Sequence, residues 1–274
     1  MTNIRILIFT DLDGTLLDQR TYSFQPARPA LRLLRESGIP LIVCTSKTRA
    51  EVEQVRTALQ NTDPFIVENG GAIFVPEGGF PSELPGARKD SGYLVVEMGT
   101  SYSRILGVFS AMKKRLPGRL RGFSDLSVEE VARLTGLSRE DAARAKEREY
   151  DEPFLLDDPA ANLDTVKEIA ESAGLSITRG RFFHLTGDND KGRAVILVRD
   201  IYARANGIVP RTIGLGDSPN DLPLLQNVDF PVLVQQPGGR YEPSIRLGNL
   251  IFAPGEGPVG WSEVVRELVE RLSG

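Results

Sequence analysis

The chain has 274 residues, 41% of them hydrophobic and 26% charged, which is typical of a folded globular protein and excludes a disordered one. Its net charge of -4, without a basic run, argues against a nucleic-acid partner, and its single cysteine, Cys44, excludes an intrachain disulfide. Because the chain has neither a signal-peptide pattern nor a stretch of about 18 apolar residues, we expect no membrane span and a cytoplasmic location.

The first third of the chain alternates predicted strands and helices. Continuous apolar runs predict buried parallel strands, and apolar residues at helical spacing predict the helices between them. Thr48 and Glu51 have the spacing of a capping box, which predicts the start of the second helix. In chain order the predicted elements are strand 4–9, helix 28–38, strand 39–44, helix 48–59 and strand 64–71.

The last third resumes this alternation. Ser218 is the expected N-cap of a short helix, and Pro219 is its expected first residue. The predicted elements are helix 191–207, strand 211–217, helix 218–226, strands 230–234 and 250–253, and helix 261–272. Alternation of this kind predicts an α/β fold whose core has three layers around a mostly parallel, Rossmann-like sheet with right-handed crossovers.

The middle of the chain has a different character. Residues 76–92 are rich in glycine, proline and charge, as a linker would be. The elements predicted after them are strand 93–99, helices near 101–115 and 127–148, and short strands at 153–156, 175–180 and 181–187. We therefore predict an inserted α+β cap domain at residues 85–187, between two parts of a core domain at residues 1–84 and 188–274.

Polar side chains cluster after the predicted core strands. They are Asp11 and Asp13 after the first strand, Thr45 and Ser46 after the second, Asp217, Asn220 and Asp221 after a later one, and Lys191 at the start of the helix that follows the insert. Because ligands gather beyond the carboxyl ends of parallel strands, these groups should meet at one edge of the sheet. Clustered carboxylates repel one another without a cation, which predicts a Mg²⁺ site completed by a substrate phosphate.

Two acids at the spacing of Asp11 and Asp13 can divide the work of phosphoryl transfer. One carboxylate attacks phosphorus and forms an aspartyl phosphate, while the other gives a proton to the leaving oxygen and then takes one from water. Gly14 and Thr15 let the chain turn at once, so we expect backbone N–H groups to face phosphate oxygens, and both residues are candidates for phosphate binding.

The pattern "DLDGT … T … K … GDSPND" resembles the haloacid dehalogenase superfamily of phosphohydrolases, over residues 1 to about 80 and 188 to 274. The resemblance implies that Asp11 is the nucleophile and that Asp13 is the general acid/base, with its backbone carbonyl as a metal ligand. The other implied roles are phosphate orientation by Thr45, charge neutralisation by Lys191, and metal binding by Asp217 with help from Asp221 and Asn220.

Further stretches, among them "CTSKTRAEV", "REYDEPF" and "RFFHLTGDNDKG", resemble the phosphatases of mannosyl-3-phosphoglycerate within that superfamily. This resemblance implies Mg²⁺-dependent hydrolysis of a phosphorylated sugar acid to mannosylglycerate, a compatible solute, and phosphate. It also implies that Lys47 supplies a positive charge that generic relatives take from an arginine. The candidate residues for phosphate or substrate binding are Gly14, Thr15, Ser46, Lys47, Asn69, Arg148, Tyr150, Arg179, His184 and Asn220.

Three alternatives use the same motifs. Two are enzymes: a phosphatase of another sugar phosphate, such as glucosyl-3-phosphoglycerate or sucrose phosphate, and a phosphomutase. The third, a non-catalytic phosphosugar-binding regulator, would tolerate the loss of an active-site acid, yet both acids of the first motif are present. His184 fits a packed, hydrogen-bonded strand residue as well as a ligand contact. No oligomeric state is predicted.

Overall fold

In a computed structural model that describes residues 5–78, 84 and 86–273, the strands form two sheets, one of nine strands and one of four. The strands are β1 (Ile6–Thr10), β2 (Leu41–Cys44), β3 (Phe65–Val67), β4 (Ala72–Pro76), β5 (Arg88–Asp90), β6 (Tyr93–Glu97), β7 (Leu120–Gly122), β8 (Asp151–Leu156), β9 (Ser176–Arg179), β10 (Phe183–Thr186), β11 (Arg211–Gly216), β12 (Phe230–Gln235) and β13 (Ile251–Glu256). The larger sheet has the order β13-β12-β11-β1-β2-β3-β4-β6-β5. Its strands from β13 to β3 are parallel, and β4, β6 and β5 continue it with antiparallel pairing.

The helices are α1 (Arg28–Glu36), α2 (Arg49–Leu59), α3 (Tyr102–Arg115), α4 (Val128–Thr135), α5 (Arg139–Ala145), α6 (Pro159–Ser172), α7 (Lys191–Asn206), α8 (Leu222–Gln226) and α9 (Gly257–Ser273), with 3-10 turns at Gln25–Ala27, Glu68–Gly70 and Pro219–Asp221. Helices α1, α2 and α9 pack on one face of the large sheet, and α7 and α8 pack on the other. The predicted three-layer α/β core is confirmed. Among the described residues, no helix is both long and apolar enough to cross a bilayer.

The apolar run that begins the chain explains why β1 is central. Ile6 and Ile8 pack in the layer of α1, α2 and α9, whereas Leu7 and Phe9 pack in the layer of α7 and α8. A strand buried on both faces needs apolar residues at every position, and β1 has them up to Phe9. Thr10 and Asp11 are therefore the first polar residues as the strand leaves the core.

The cap is built on the second sheet, which has the antiparallel order β7-β8-β10-β9. Helices α3 and α6 share a hydrophobic cluster with this sheet. The short helices α4 and α5 form a smaller cluster around Phe123 and Leu126. An inserted α+β cap is thus present, as predicted.

The structure corrects the predicted start of the cap. Residue 85, at the predicted boundary, lies outside the described residues, but β5 and β6 follow it and pair with the core sheet through β4. The predicted strand at 93–99 therefore extends the core, and the cap begins after Glu97. The second predicted boundary, at 187/188, lies between β10 and α7.

Trp261, in the first turns of α9, ties the last helix to the end of β1. Its indole Nε1 donates to Thr10 Oγ1 over 3.0 Å, and that hydroxyl donates to the carbonyl of Asp11 over 2.7 Å. Trp261 is fully buried, so its loss would leave a buried hydroxyl without its donor. We expect Trp261→Phe to lower the free energy of unfolding by about 1–3 kcal/mol, measured by urea denaturation. An unchanged midpoint and slope would contradict this role.

Candidate active site

The turn after β1 brings Asp11 to the edge of the sheet and shapes the space beside it. Gly14 has a φ of +81°, and a Cβ there would lie 2.7 Å from Asp217 Oδ2. A side chain at residue 14 would thus be strained and would collide with a site carboxylate. Thr15 Oγ1 donates to Asp217 Oδ1 over 3.2 Å and orients that side chain.

The backbone amides of Gly14 and Thr15 are used inside this turn. The N–H of Gly14 donates to the carbonyl of Leu17, and that of Thr15 donates to the carbonyl of Leu12. These two amides are therefore not the ones that face a phosphate, which corrects the predicted phosphate contact of Gly14 and Thr15. Their contribution is to fit and orient Asp217.

Three carboxylates meet where β1 and β11 end. Asp11, Asp217 and Asp221 each offer an oxygen within 4.8 Å of the others, and all three are buried. Burial, together with the neighbouring acids, raises the pKa of Asp11 to about 7 and holds the pKa of Asp217 well above its usual range. A buried group of acids that resists ionisation is a suitable site for a hard divalent cation.

Lys191 is the cation that the chain itself places in this cluster. Asp190 caps α7, and Lys191, its first residue, extends a fully buried side chain to Asp11 Oδ1 (2.7 Å) and Asp221 Oδ1 (2.6 Å). Although burial opposes its charge, the carboxylates of Asp11 and Asp221 raise the pKa of Lys191. The ammonium therefore stays charged beside the predicted nucleophile.

The oxygens of Asp221 already have donors. Lys191 binds Oδ1, and Oδ2 accepts from the backbone N–H groups of Asp217 and Ser218, each over 3.0 Å. Asp11 and Asp217 instead line the cavity, and no described residue donates to Oδ2 of either. This geometry favours Asp11 and Asp217 as direct ligands of a cation and Asp221 as the group that holds Lys191 and the 217–218 backbone.

Asp13 also lines the cavity, but its partner is Lys47. Its Oδ2 lies 2.9 Å from Lys47 Nζ, and its Oδ1 is buried with no hydrogen-bond partner among the described residues. Thr45 is buried at the end of β2, where its hydroxyl accepts from the N–H of Lys47 over 3.3 Å, and Ser46 lines the cavity.

A cavity of about 600 Å³ separates the core edge from the cap. The cap brings Arg179 and His184 to its wall, and Asn220 lines it from the core. His184 Nδ1 lies 2.9 Å from Asp151, which leaves Nε2 as the ring nitrogen available to a ligand. His184 is thus packed and hydrogen-bonded, and it also lines the cavity, while its contact with a ligand stays a prediction.

Asn69 lies behind the cavity wall and links core to cap. Its Nδ2 donates to Asp151 over 2.8 Å, and its Oδ1 accepts from Asn220 over 3.1 Å. Asn69 does not line the cavity, which corrects its predicted contact with substrate. It instead binds two residues that support the site.

Two cap residues from "REYDEPF", Arg148 and Tyr150, have hydrogen-bond partners within the protein. Tyr150 does not line the cavity, since its hydroxyl donates to Glu97 over 2.6 Å. Arg148 reaches the wall, but its guanidinium donates to the carbonyls of Ala145 and Ser46, each over 2.8 Å. The prediction that Tyr150 contacts substrate is thus corrected, because its side chain does not line the cavity. Arg148 forms a bridge between cap and core.

Several cavity residues were not predicted. Glu51, predicted only as part of a capping box, lines the cavity. The cap domain also contributes Phe123, Arg181 and Phe182 to the wall, and the core contributes Gln236 and Glu242. Gln236 donates to the carbonyl of Asp217 over 2.8 Å. Sequence spacing does not place these residues on the cavity wall, and only the tertiary fold does.

Comparisons with known proteins agree with this geometry. Residues 8–80 match the family model of haloacid dehalogenase-like hydrolases. The chain is 50% identical over 264 residues to the glucosyl-3-phosphoglycerate/mannosyl-3-phosphoglycerate phosphatase of Methanococcoides burtonii, a match covering 96% of this chain and 97% of that protein. It is 41% identical over 271 residues to the protein of that name from Persephonella marina, covering 97% and 98%.

A solved structure shares the whole fold. The chain aligns with the sucrose-phosphatase of Synechocystis, whose structure was determined in complex with sucrose and phosphate. The alignment covers 98% of this chain and 98% of that one, with a TM-score of 0.63 and 15% sequence identity. At that identity the likeness shows a common architecture of core and cap.

Proposed function

Because the chain belongs to the haloacid dehalogenase-like hydrolases, we propose that it is a phosphatase that releases phosphate from mannosyl-3-phosphoglycerate and glucosyl-3-phosphoglycerate. The resemblance seen in the motifs is confirmed by relatives that match nearly the full chain. The names of these two relatives pair the two sugars, so we extend the predicted mannosyl substrate to include the glucosyl one. The function is that of a phosphoric monoester hydrolase.

One observation carries the chemistry: a buried carboxylate on the cavity wall that has an ammonium on one of its oxygens. Lys191 donates to Asp11 Oδ1, and Asp11 lines the cavity, so we assign the attack on phosphorus to the Asp11 carboxylate. The attack forms the bond between Asp11 and phosphorus and breaks the bond to the ester oxygen. Asp13 gives that oxygen its proton, and the sugar acid leaves as an alcohol.

The second half of the reaction regenerates the enzyme. Asp13 takes a proton from a water molecule, which attacks phosphorus and releases inorganic phosphate from Asp11. Lys191 offsets the charge on Asp11 in both halves. Thr45 and Ser46, at the end of β2, are the hydroxyls we assign to phosphate orientation.

We assign a Mg²⁺ ion to Asp11 and Asp217, with the carbonyl of Asp13 as a further predicted ligand. Asp221 would lie beside the ion, where it holds Lys191. When bound, the ion supplies positive charge that neutralises the phosphate and the clustered acids. The buried acids, with the raised pKa values of Asp11 and Asp217, support this assignment.

A phosphate-release screen tests the proposal. The purified chain with Mg²⁺ is given the two phosphoglycerate glycosides, sucrose phosphate and simple hexose phosphates. We expect the highest kcat/KM for the two glycosides, and we expect the phosphate to be released as inorganic phosphate. Transfer of phosphate between sugars would indicate a phosphomutase, binding without turnover would indicate a regulator, and a preference for another ester would exclude the proposed substrates.

The cap residues on the cavity wall should select the sugar acid. Replacing His184 or Arg179 by Ala should lower kcat/KM for mannosyl-3-phosphoglycerate about ten- to hundredfold, since a hydrogen bond to a charged group is worth about 1.5–3 kcal/mol. p-Nitrophenyl phosphate makes few cap contacts, so its hydrolysis should change little. The measurement is the ratio of the two kcat/KM values in each variant.

Tyr150→Phe is the matched control, because Tyr150 lies in the cap but does not line the cavity. Its ratio should equal that of the wild type. If His184→Ala and Arg179→Ala also keep the wild-type ratio, these residues do not read the substrate.

A further inference from the structure

Lys47 has a partner that its place in the sequence did not predict. Its side chain is almost completely buried, and its Nζ lies 2.9 Å from Asp13 Oδ2 and 3.2 Å from Glu51 Oε1. Its ammonium also lies 5.2 Å from the ring centre of Tyr22. Anion and aromatic partners therefore hold the charge that was expected to bind substrate.

The start of α2 explains why Glu51 can hold Lys47. Thr48 caps the helix and Glu51 is the third helical residue, so the two form a capping box. Glu51 Oε2 accepts from the N–H of Thr48 over 3.0 Å, which leaves Oε1 for Lys47. A carboxylate fixed by the helix end thus fixes the lysine.

The cap contributes to the same turn. Arg148 Nη1 donates to the carbonyl of Ser46 over 2.8 Å, and its Nη2 lies 3.9 Å from Glu51 Oε2. Thr48 Oγ1 donates to the carbonyl of Arg144 over 2.9 Å. The residues on both sides of Lys47 are therefore tied to the cap, Ser46 through its carbonyl and Thr48 through its hydroxyl.

Asp13 depends on this support. Its side chain is 40% exposed, so a carboxylate without a partner would turn towards water. Instead its Oδ1 is buried without a hydrogen-bond partner among the described residues, an orientation that the ion pair at Oδ2 maintains. A general acid must be held within reach of the leaving oxygen to act.

We propose that Lys47 is a positioning residue for Asp13, and that Arg148 makes this positioning depend on the cap. The inference rests on the proposed function, in which Asp13 is the general acid/base. It replaces the expectation that Lys47 and Arg148 bind the sugar acid. The cap then selects substrates and also helps to arrange the acid that completes the reaction.

The test uses three phosphate esters that separate these roles. Mannosyl-3-phosphoglycerate has cap contacts and a poor alkoxide leaving group, ethyl phosphate has the poor leaving group alone, and p-nitrophenyl phosphate has neither. The parameter is kcat/KM, because it includes only the steps up to departure of the alcohol. A displaced general acid harms the first two esters, whereas nitrophenolate leaves without needing a proton.

For Lys47→Met we expect kcat/KM to fall about 10²-fold for both mannosyl-3-phosphoglycerate and ethyl phosphate, the size of effect seen when a catalytic group is displaced by about 1 Å. The loss for p-nitrophenyl phosphate should be much smaller. Lys47→Arg should restore part of the lost activity. Lys167→Met, at an exposed position on α6, is the matched control and should show no change.

Arg148→Met is the second variant, because it leaves the pair of Asp13 and Lys47 intact if Lys47→Met fails to fold. Arg148→Met should lower kcat/KM for the same two esters as Lys47→Met does, but by a smaller factor. A loss confined to mannosyl-3-phosphoglycerate would make these residues substrate ligands, and an equal loss with all three esters would make them structural. Either result overturns the inference, whereas a wild-type enzyme inactive on every ester would overturn the proposed function instead.

Discussion

Asp11→Asn should abolish turnover, with a loss on the order of 10⁶-fold, as expected when the nucleophile of a covalent mechanism is removed. An amide cannot attack phosphorus as a carboxylate does. The fold should survive, because Asn has the same shape and its carbonyl oxygen can still accept from Lys191, which donates to Asp11 Oδ1 over 2.7 Å. Phosphate release and the melting temperature are measured on the same preparation.

The matched control is Asp164→Asn, the same change at an exposed position on α6. It should retain wild-type phosphate release. Near-normal turnover by Asp11→Asn would remove Asp11 from the nucleophile's role. A large fall in its melting temperature would instead show that Asp11 is needed for the fold.

Removal of the metal should have the second largest effect. Burial and like charges raise the pKa values of Asp11 and Asp217, so without a cation the nucleophile and the metal ligand are both pushed towards their neutral forms. We expect an excess of chelator to stop phosphate release and added Mg²⁺ to restore it. Full activity in excess chelator would contradict the assigned metal site.

Binding can be measured apart from activity. A ligand that binds only the folded state stabilises it by about 2.7 kcal/mol at a concentration 100 times its Kd. Added Mg²⁺ should therefore raise the melting temperature of the wild type. In Asp217→Asn the rise should require more Mg²⁺, because one of the two carboxylates assigned to the ion is lost.

The core was predictable from sequence because its signals are local. The apolar run of β1 is buried on both faces, and the capping box of Thr48 and Glu51 begins α2 as expected. The acids and Lys191 meet because each stands next to the end of a strand or the start of a helix. Parallel pairing of β1 with β2 and β11 then brings them together.

The antiparallel end of the core sheet could not be predicted in the same way. β5 is three residues long and consists of Arg88, Lys89 and Asp90, so it lacks the apolar pattern of a strand. Its pairing with β6 is set by neighbours in space. The sequence pattern therefore predicts a start of the cap at residue 85, which precedes the two strands, β5 and β6, that pair with the core sheet.

The roles of single side chains were the least predictable. The spacing of Gly14 and Thr15 is that of a phosphate-binding turn, but the turn consumes both amides in its own hydrogen bonds. Tyr150 lies in "REYDEPF", a stretch that resembles the sugar-acid phosphatases. Its hydroxyl nevertheless donates to Glu97 on β6, a residue distant along the chain. Only tertiary structure distinguishes a residue that lines the cavity from one that supports it.

A trapped phosphoenzyme tests the central claim most directly. The enzyme is quenched with acid during turnover of mannosyl-3-phosphoglycerate, digested, and analysed by mass spectrometry. The account predicts one phosphoryl group on the peptide that contains Asp11, stable in acid and released by hydroxylamine, and none in Asp11→Asn. Steady phosphate release with unmodified Asp11, or with the phosphoryl group on another residue, would contradict it.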